Sequence, residues 1–143
     1  MKKINSFKNI TYICSDKKIM EAYDKIFEYA SSGSYEQFIE YFESIEKKER
    51  NSLINDDYQG LSLLIASSIG GSIEIVQYLV NNFHIDINKK HDISIDGNLV
   101  EDVTPLWCAS YYCHVDIVEF YITQNADVNC ISSTEMSPLR LNI

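Results

Sequence analysis

A chain of 143 residues, 45% hydrophobic and 12% aromatic, is long enough for one domain with a modest core and too apolar to be disordered or collagen-like. Its net charge of -9 argues against nucleic acid, whose phosphates require clustered Lys and Arg, and suits a basic peptide partner instead. No stretch reaches the roughly 18 consecutive apolar residues of a membrane helix, and Cys14, Cys108, Cys113 and Cys130 are too irregularly spaced for a disulfide framework, reading instead as reduced thiols of a cytoplasmic or nuclear protein.

Residues 1–18 read as an N-terminal arm. Asn and Lys interrupt the apolar run that a signal peptide requires, and Asn9-Ile10-Thr11 is a glycosylation acceptor only in a secreted chain. From there Ile19, Tyr23, Ile26, Phe27 and Ala30 fall on one helical stripe. Ser31-Ser32-Gly33-Ser34 breaks it and offers Ser34 as an N-cap. Tyr35, Phe38, Ile39, Phe42 and Ile45 then line a second helix, with Glu36, Glu40, Glu43, Lys47 and Lys48 largely opposite. Residues 19–56 are thus expected to form two antiparallel helices whose charged outer side suits a degenerate capping unit.

A second unit occupies residues 57–88. Gly60 supplies a turn, residues 62–69 form a short apolar run, and Gly70-Gly71-Ser72 ends it. The partner helix covers residues 73–80, with Ile75, Val76, Leu79 and Val80 on one stripe. Residues 89–103 read as an inserted loop. The same two-run design returns in residues 104–136, where TPLWCASYYC and HVDIVEFYIT precede a polar Asn-Ala-Asp-Val-Asn ending. Ser137-Pro138-Leu139 opens a further copy over residues 137–143. Without its second helix, that copy is expected to leave apolar surface uncovered, so that the end frays or self-associates.

Leu139 follows Leu106 by 33 residues and Leu106 follows Leu64 by 42. A period of about 33 residues is that of ankyrin repeats, and insertions into such arrays fall in loops, often on the binding face. The residues also resemble that family. Thr104-Pro105-Leu106 is similar to its opening, Ala109-Ser110 to its alanine pair, Ile117-Val118 to its second helix and Asn125-Ala126-Asp127-Val128-Asn129 to its ending. Three departures stand out. Trp107 replaces the usual His and removes a turn-stabilising hydrogen bond, Cys113 replaces the Gly between helices, and Leu63 replaces a Pro. The resemblance implies an all-α ankyrin solenoid of stacked helix–turn–helix units, C-terminally incomplete.

A narrower resemblance runs from about Ala22 to the end. The loop Ile95-Asp96-Gly97-Asn98, followed by Pro105-Leu106-Trp107 and then Pro138-Leu139-Arg140, is similar to a repeat junction of the feminization-one family. What this implies is a substrate receptor of a cullin-RING ubiquitin ligase whose ankyrin face binds protein or peptide C-termini, many with Arg at or near the end. Asp96, Trp107 and Arg140 occupy matching positions of the peptide pocket. Asp96 would take a guanidinium, Trp107 would offer a stacking wall, and Arg140 would hold a carboxylate or carbonyl. Elongin and cullin would be reached only through a C-terminal region that these 143 residues do not include.

Taken on their residues alone, the same positions have plainer readings. Trp107 is a space-filling repeat-core aromatic, Asp96 a turn residue beside Gly97, and Arg140 a solvated charge. His84, His91 and His114 make no metal pattern with the cysteines, and Cys108-x4-Cys113-His114 reads as helix-face thiols. Serine-hydrolase, phosphate-loop and zinc-protease motifs are absent, so no enzyme activity, metal or cofactor is expected. The rival to a ubiquitin-ligase receptor is a generic ankyrin scaffold or inhibitor. A thiol or metal enzyme is a distant third.

Overall fold

The computed structural model describes residues 17–57 and 61–129. The expectations for Gly60, Cys14, Cys130 and Arg140, and for residues 1–16 and 137–143, therefore lie outside the described residues, as does the side chain of Ile19. In chain order the elements are α1 (Lys17–Ser32), α2 (Tyr35–Ser44), α3 (Lys47–Asn55), α4 (Leu63–Gly70), α5 (Ile73–Asn82), β1 (His91–Ile95), β2 (Asn98–Val103), α6 (Pro105–Tyr111) and α7 (Val115–Thr123).

Helices α1, α4 and α6 pack side by side in one layer, and α2, α5 and α7 in a second. Each inner helix turns back into its outer partner, as the repeated sequence runs require. The apolar stripes meet between the layers, where Ile26, Ala30, Phe38, Phe42, Ala66, Ile75, Leu79, Ala109 and Ile117 are fully buried. Phe42, Tyr78 and Phe83 join in edge-on contacts at 5.9–6.0 Å, tying α2 to α5.

Helices α4 and α6 have only 8 and 7 residues, too few to persist alone. Capping and neighbours hold them. The side chains of Ser62 and Thr104 accept from the amides of Ile65 and Trp107 at 3.1 and 3.2 Å. Pro105 follows Thr104 in the first turn, where its missing N–H costs nothing. The hydrogen bond lost with the family's His thus leaves this backbone cap in place. Within the helices, Ser67, Ser68 and Ser110 are buried yet donate to the carbonyls of Leu63, Leu64 and Leu106, all at 2.8 Å. This back-bonding lets small polar residues replace alanines at positions where the layers touch.

Each turn from an inner to an outer helix places one residue in the left-handed region: Gly33 (φ 73), Gly71 (φ 80) and Cys113 (φ 60). At Gly71 an added Cβ would stand 2.5 Å from the His114 ring, so the glycine serves the stacking of the next repeat as well as the turn. The His114 ring nitrogen Nε2 lies 3.0 Å from the Ile69 carbonyl oxygen and ties the two turns together. Cys113 holds the same conformation with a side chain, at a cost on the order of 1–2 kcal/mol. Asn125 (φ 62) adopts the left-handed conformation expected of it.

Two local expectations are corrected. The second helix does not run on through Ile45. It ends at Ser44, Ile45 turns extended (ψ 143) to bury its side chain, and α3 begins at Lys47. Helix α3 carries a single buried residue, Leu53, too sparse a stripe to stand out as a helix of its own. Ser34 does occupy the N-cap of α2, but its side chain makes no capping bond, and its Oγ lies 2.8 Å from Ser32 Oγ.

The repeats are also joined through one buried pair. Tyr121 Oη and Ser68 Oγ lie 2.6 Å apart, both residues fully buried. The single proton of Ser68 goes to the Leu64 carbonyl, so Tyr121 is the donor between them. Tyr121→Phe removes a donor and leaves Ser68 bonded, whereas Ser68→Ala strands a buried phenol. Urea unfolding should therefore show a loss of about 0.5–1.5 kcal/mol for Tyr121→Phe and a larger one, about 1–3 kcal/mol, for Ser68→Ala.

Candidate protein-binding face

Residues 89–103, read from sequence as an inserted loop, form an antiparallel hairpin instead. Its turn is Asp96-Gly97, both at positive φ (51 and 81), flanked by the pair Ile95 and Asn98. That is the two-residue turn whose twist matches paired strands. Farther down, the register slips between Ile93↔Val100 and His91↔Val103, with Asp102 at φ 60 and its amide donating to Asp92 Oδ1 at 3.0 Å. The slip is a bulge with a clear purpose. Strict alternation would turn Val103 outward, but the extra residue returns it to the inner face beside Val100.

That inner face carries Ile93, Ile95, Val100 and Val103, which pack with Ile65, Trp107 and Cys108 in a second apolar cluster. Asp92, Leu99, Glu101 and Asp102 stay half-buried or exposed. The base of the hairpin is anchored by His91, itself buried. One ring nitrogen, Nε2, lies 3.2 Å from Asp57 Oδ1, and the other, Nδ1, lies 3.3 Å from the Lys89 carbonyl oxygen. A cleft of about 220 Å³ opens beside this anchor, lined by residues that include Asn55, Asp57, His84, Asp86 and Lys89. A second tether joins the following loops, where Asn88 Oδ1 accepts the amide of Asp127 at 2.8 Å. Among the described residues, no three His, Cys, Asp or Glu side chains come together to hold a metal ion.

The two sequence-derived site residues that are described, Asp96 and Trp107, differ in exposure. Asp96 stands at the hairpin tip, exposed. Trp107 lies beneath the hairpin and is 1% exposed, so its ring is a core filler and not an open wall. Its indole stacks on Tyr111, one helical turn on, with centroids 5.1 Å apart and planes 13° from parallel. Tyr111 is 42% exposed and Tyr112 38%, and their rings meet at 73° and 5.1 Å. Tyr112 stacks in turn on His114 at 6.5 Å. The phenol of Tyr112 is pushed above its ordinary pKa, first by partial burial and then by Cys108, Tyr111 and Asp96. The tyrosines at the end of α6 were passed over in the sequence because helical spacing treats Tyr111 as one more packing aromatic.

A match to known proteins now accords with this geometry. The family model described as ankyrin repeats in three copies matches residues 26–132, and the chain belongs to the ankyrin-repeat family. Within it, the chain is 34% identical over 86 residues, 60% of its length, to a fem-1 homolog of Drosophila melanogaster. It is also 34% identical over 71 residues, half its length, to the transient receptor potential cation channel subfamily A member 1 of Drosophila melanogaster. A third relative, alpha-latrocrustotoxin-Lt1a of Latrodectus tredecimguttatus, is 34% identical over 79 residues, 55% of the chain. The matched segments span only 13%, 6% and 5% of those proteins' lengths. The chain is thus an ankyrin-repeat protein that resembles the fem-1 repeats, and such repeats are protein-interaction modules. No helix among the described residues is long and apolar enough to cross a membrane.

Two thiols test the layering around this face. Cys108 is fully buried, and burial pushes its thiol well above the ordinary range, which keeps it protonated and unreactive. Cys113, two residues beyond Tyr111, is exposed. Brief alkylation with iodoacetamide at mildly alkaline pH, followed by peptide mapping, should modify Cys113 and spare Cys108. Urea should make both react.

Proposed function

We propose that this chain is a recognition module of the fem-1 kind, which presents the hairpin and the end of α6 to the C-terminal segment of a protein partner. The observation that carries the reading is the juxtaposition of the Asp96-Gly97 tip with a Trp107-bearing helix, held by one apolar cluster. Similarity to a fem-1 homolog over 60% of the chain supports it. On this reading Asp96 receives a cationic group, Trp107 sets the shape of the face from below, and Arg140 contributes a counter-charge for a carboxylate or carbonyl. A role as substrate receptor of a cullin-RING ubiquitin ligase, in the cytoplasm or nucleus, belongs to the same proposal. Any contact with elongin or cullin would come from residues beyond these repeats.

A second reading is favoured by the equal identity to segments of a cation channel subunit and of alpha-latrocrustotoxin-Lt1a, which points to a general scaffold without a ubiquitin role.

Fluorescence titration with peptides ending in Arg distinguishes the two. The receptor reading expects saturable binding that weakens when the C-terminal carboxylate is amidated and weakens at least several-fold in Asp96→Asn, a change that removes the charge and keeps a residue suited to the left-handed turn. Absence of binding, or binding indifferent to both changes, would leave the scaffold reading in place.

A further inference from the structure

We infer that the base of the hairpin is a proton-dependent clasp: His91 is held as the imidazolium between Asp57 and the Lys89 carbonyl, and the hairpin loosens when that proton is lost. This holds whatever the face binds, because His91 opens β1 and so lies at the far end of the hairpin from the Asp96-Gly97 turn.

The donors and acceptors around the ring decide its charge. The His91 side chain is 4% exposed, with Nε2 3.2 Å from Asp57 Oδ1 and Nδ1 3.3 Å from the Lys89 carbonyl oxygen. An ionised carboxylate and a backbone carbonyl can only accept. A neutral imidazole has one N–H. Whichever nitrogen carries it, the other turns a lone pair onto an oxygen, in a place with little water to intervene. The imidazolium has two N–H groups and satisfies both oxygens. Burial disfavours an isolated charge, but here the charge is paired with a carboxylate. His114 shows the contrast: Nε2 faces one oxygen, the Ile69 carbonyl, and a single N–H answers it.

The groups that surround the ring leave Asp57 as its counter-charge. What α3, α4 and α6 present to the adjoining cleft is uncharged. In the loop from α5 to β1, His84, Asp86 and Lys89 line that cleft, all three exposed, and Asp86 Oδ1 is occupied by the Asn88 amide at 2.9 Å. Across the hairpin His91 faces Val103, while the neighbouring Asp92 accepts the amide of Asp102. Asp57 precedes α4 and stands 34 residues before His91, so the clasp fastens the inserted hairpin to the repeat beneath it. The remaining hairpin anchors, Ile93, Ile95, Val100 and Val103, are apolar and indifferent to pH. The sign follows from which state favours the proton. The folded clasp offers it two oxygens, one of them charged, where the unfolded chain offers water. Its contribution is therefore full at mildly acidic pH, with Asp57 still ionised, and is lost as pH rises.

The test uses the intact 143-residue chain and two readouts. Long-range proton–nitrogen spectra of the histidine rings should show both His91 nitrogens protonated at about pH 6, with one proton lost on the way to about pH 8.5. Over the same interval the protection of the Ile93 and Val100 amides from exchange, measured relative to Phe38 in the same sample, should fall about tenfold or more. His91→Gln donates to the carboxylate at any pH, and Asp57→Asn removes the charged acceptor, so either change should flatten the pH response. If His91→Gln fails to fold, Asp57→Asn, at a half-exposed position, gives the same comparison. His84→Gln should leave the response as it is. A single-proton His91 ring at about pH 6, equal hairpin protection at both pH values, or a response that persists in Asp57→Asn would overturn the inference.

Discussion

The contact between the hairpin and the inner helices is what the rest of the face depends on. A two-stranded hairpin is marginal by itself in water, and a Trp on a 7-residue helix would be largely exposed without a cover. Each resolves the other's difficulty. Ile93, Ile95, Val100 and Val103 close over Ile65, Trp107 and Cys108, and this single apolar cluster orders both the insertion and the surface at the end of α6. The bulge at Asp102 matters for the same reason, since it sets which residues of β2 look inward.

Behind this cluster the repeat stack acts as a frame. The His114 ring packs so closely on the Gly71 backbone that no side chain fits at that position. Buried serines return their protons to the preceding helical turn, and Ser68 then has a lone pair free for Tyr121 of the next unit. These contacts link successive units locally, as expected of a quasi-one-dimensional array. The position of the hairpin face is therefore inherited from α4 and α6 with few degrees of freedom.

Much of the fold was legible because ankyrin units repeat their apolar spacing and punctuate it with residues of restricted conformation. Leu64 and Leu106, and Gly71 and Cys113, mark equivalent places in successive copies. The break at Ile45 was not legible, since Ile45 continues the stripe of α2 while its backbone turns extended. The hairpin was half legible: Asp96-Gly97 announced a turn, but the bulge interrupts the alternation that would have identified β2. At the face itself the sequence led to Trp107, whereas exposure falls on Tyr111 and Tyr112. Which of two rings on one helical stripe is covered depends on a hairpin packed from elsewhere, and no local pattern encodes that.

Amide hydrogen exchange of Ile93 and Val100, compared with Ala109 in α6, tests the coupling between hairpin and helix most directly. The structure predicts protection of all three amides in the wild-type chain. In Trp107→Ala, a truncation that removes about 3–5 kcal/mol of core packing, protection should fall sharply in the hairpin and α6 while residues of α1 and α2 such as Ile26 and Phe38 retain more. Exchange of Ile93 and Val100 at unprotected rates in the wild-type chain, or hairpin protection unchanged by Trp107→Ala, would contradict it.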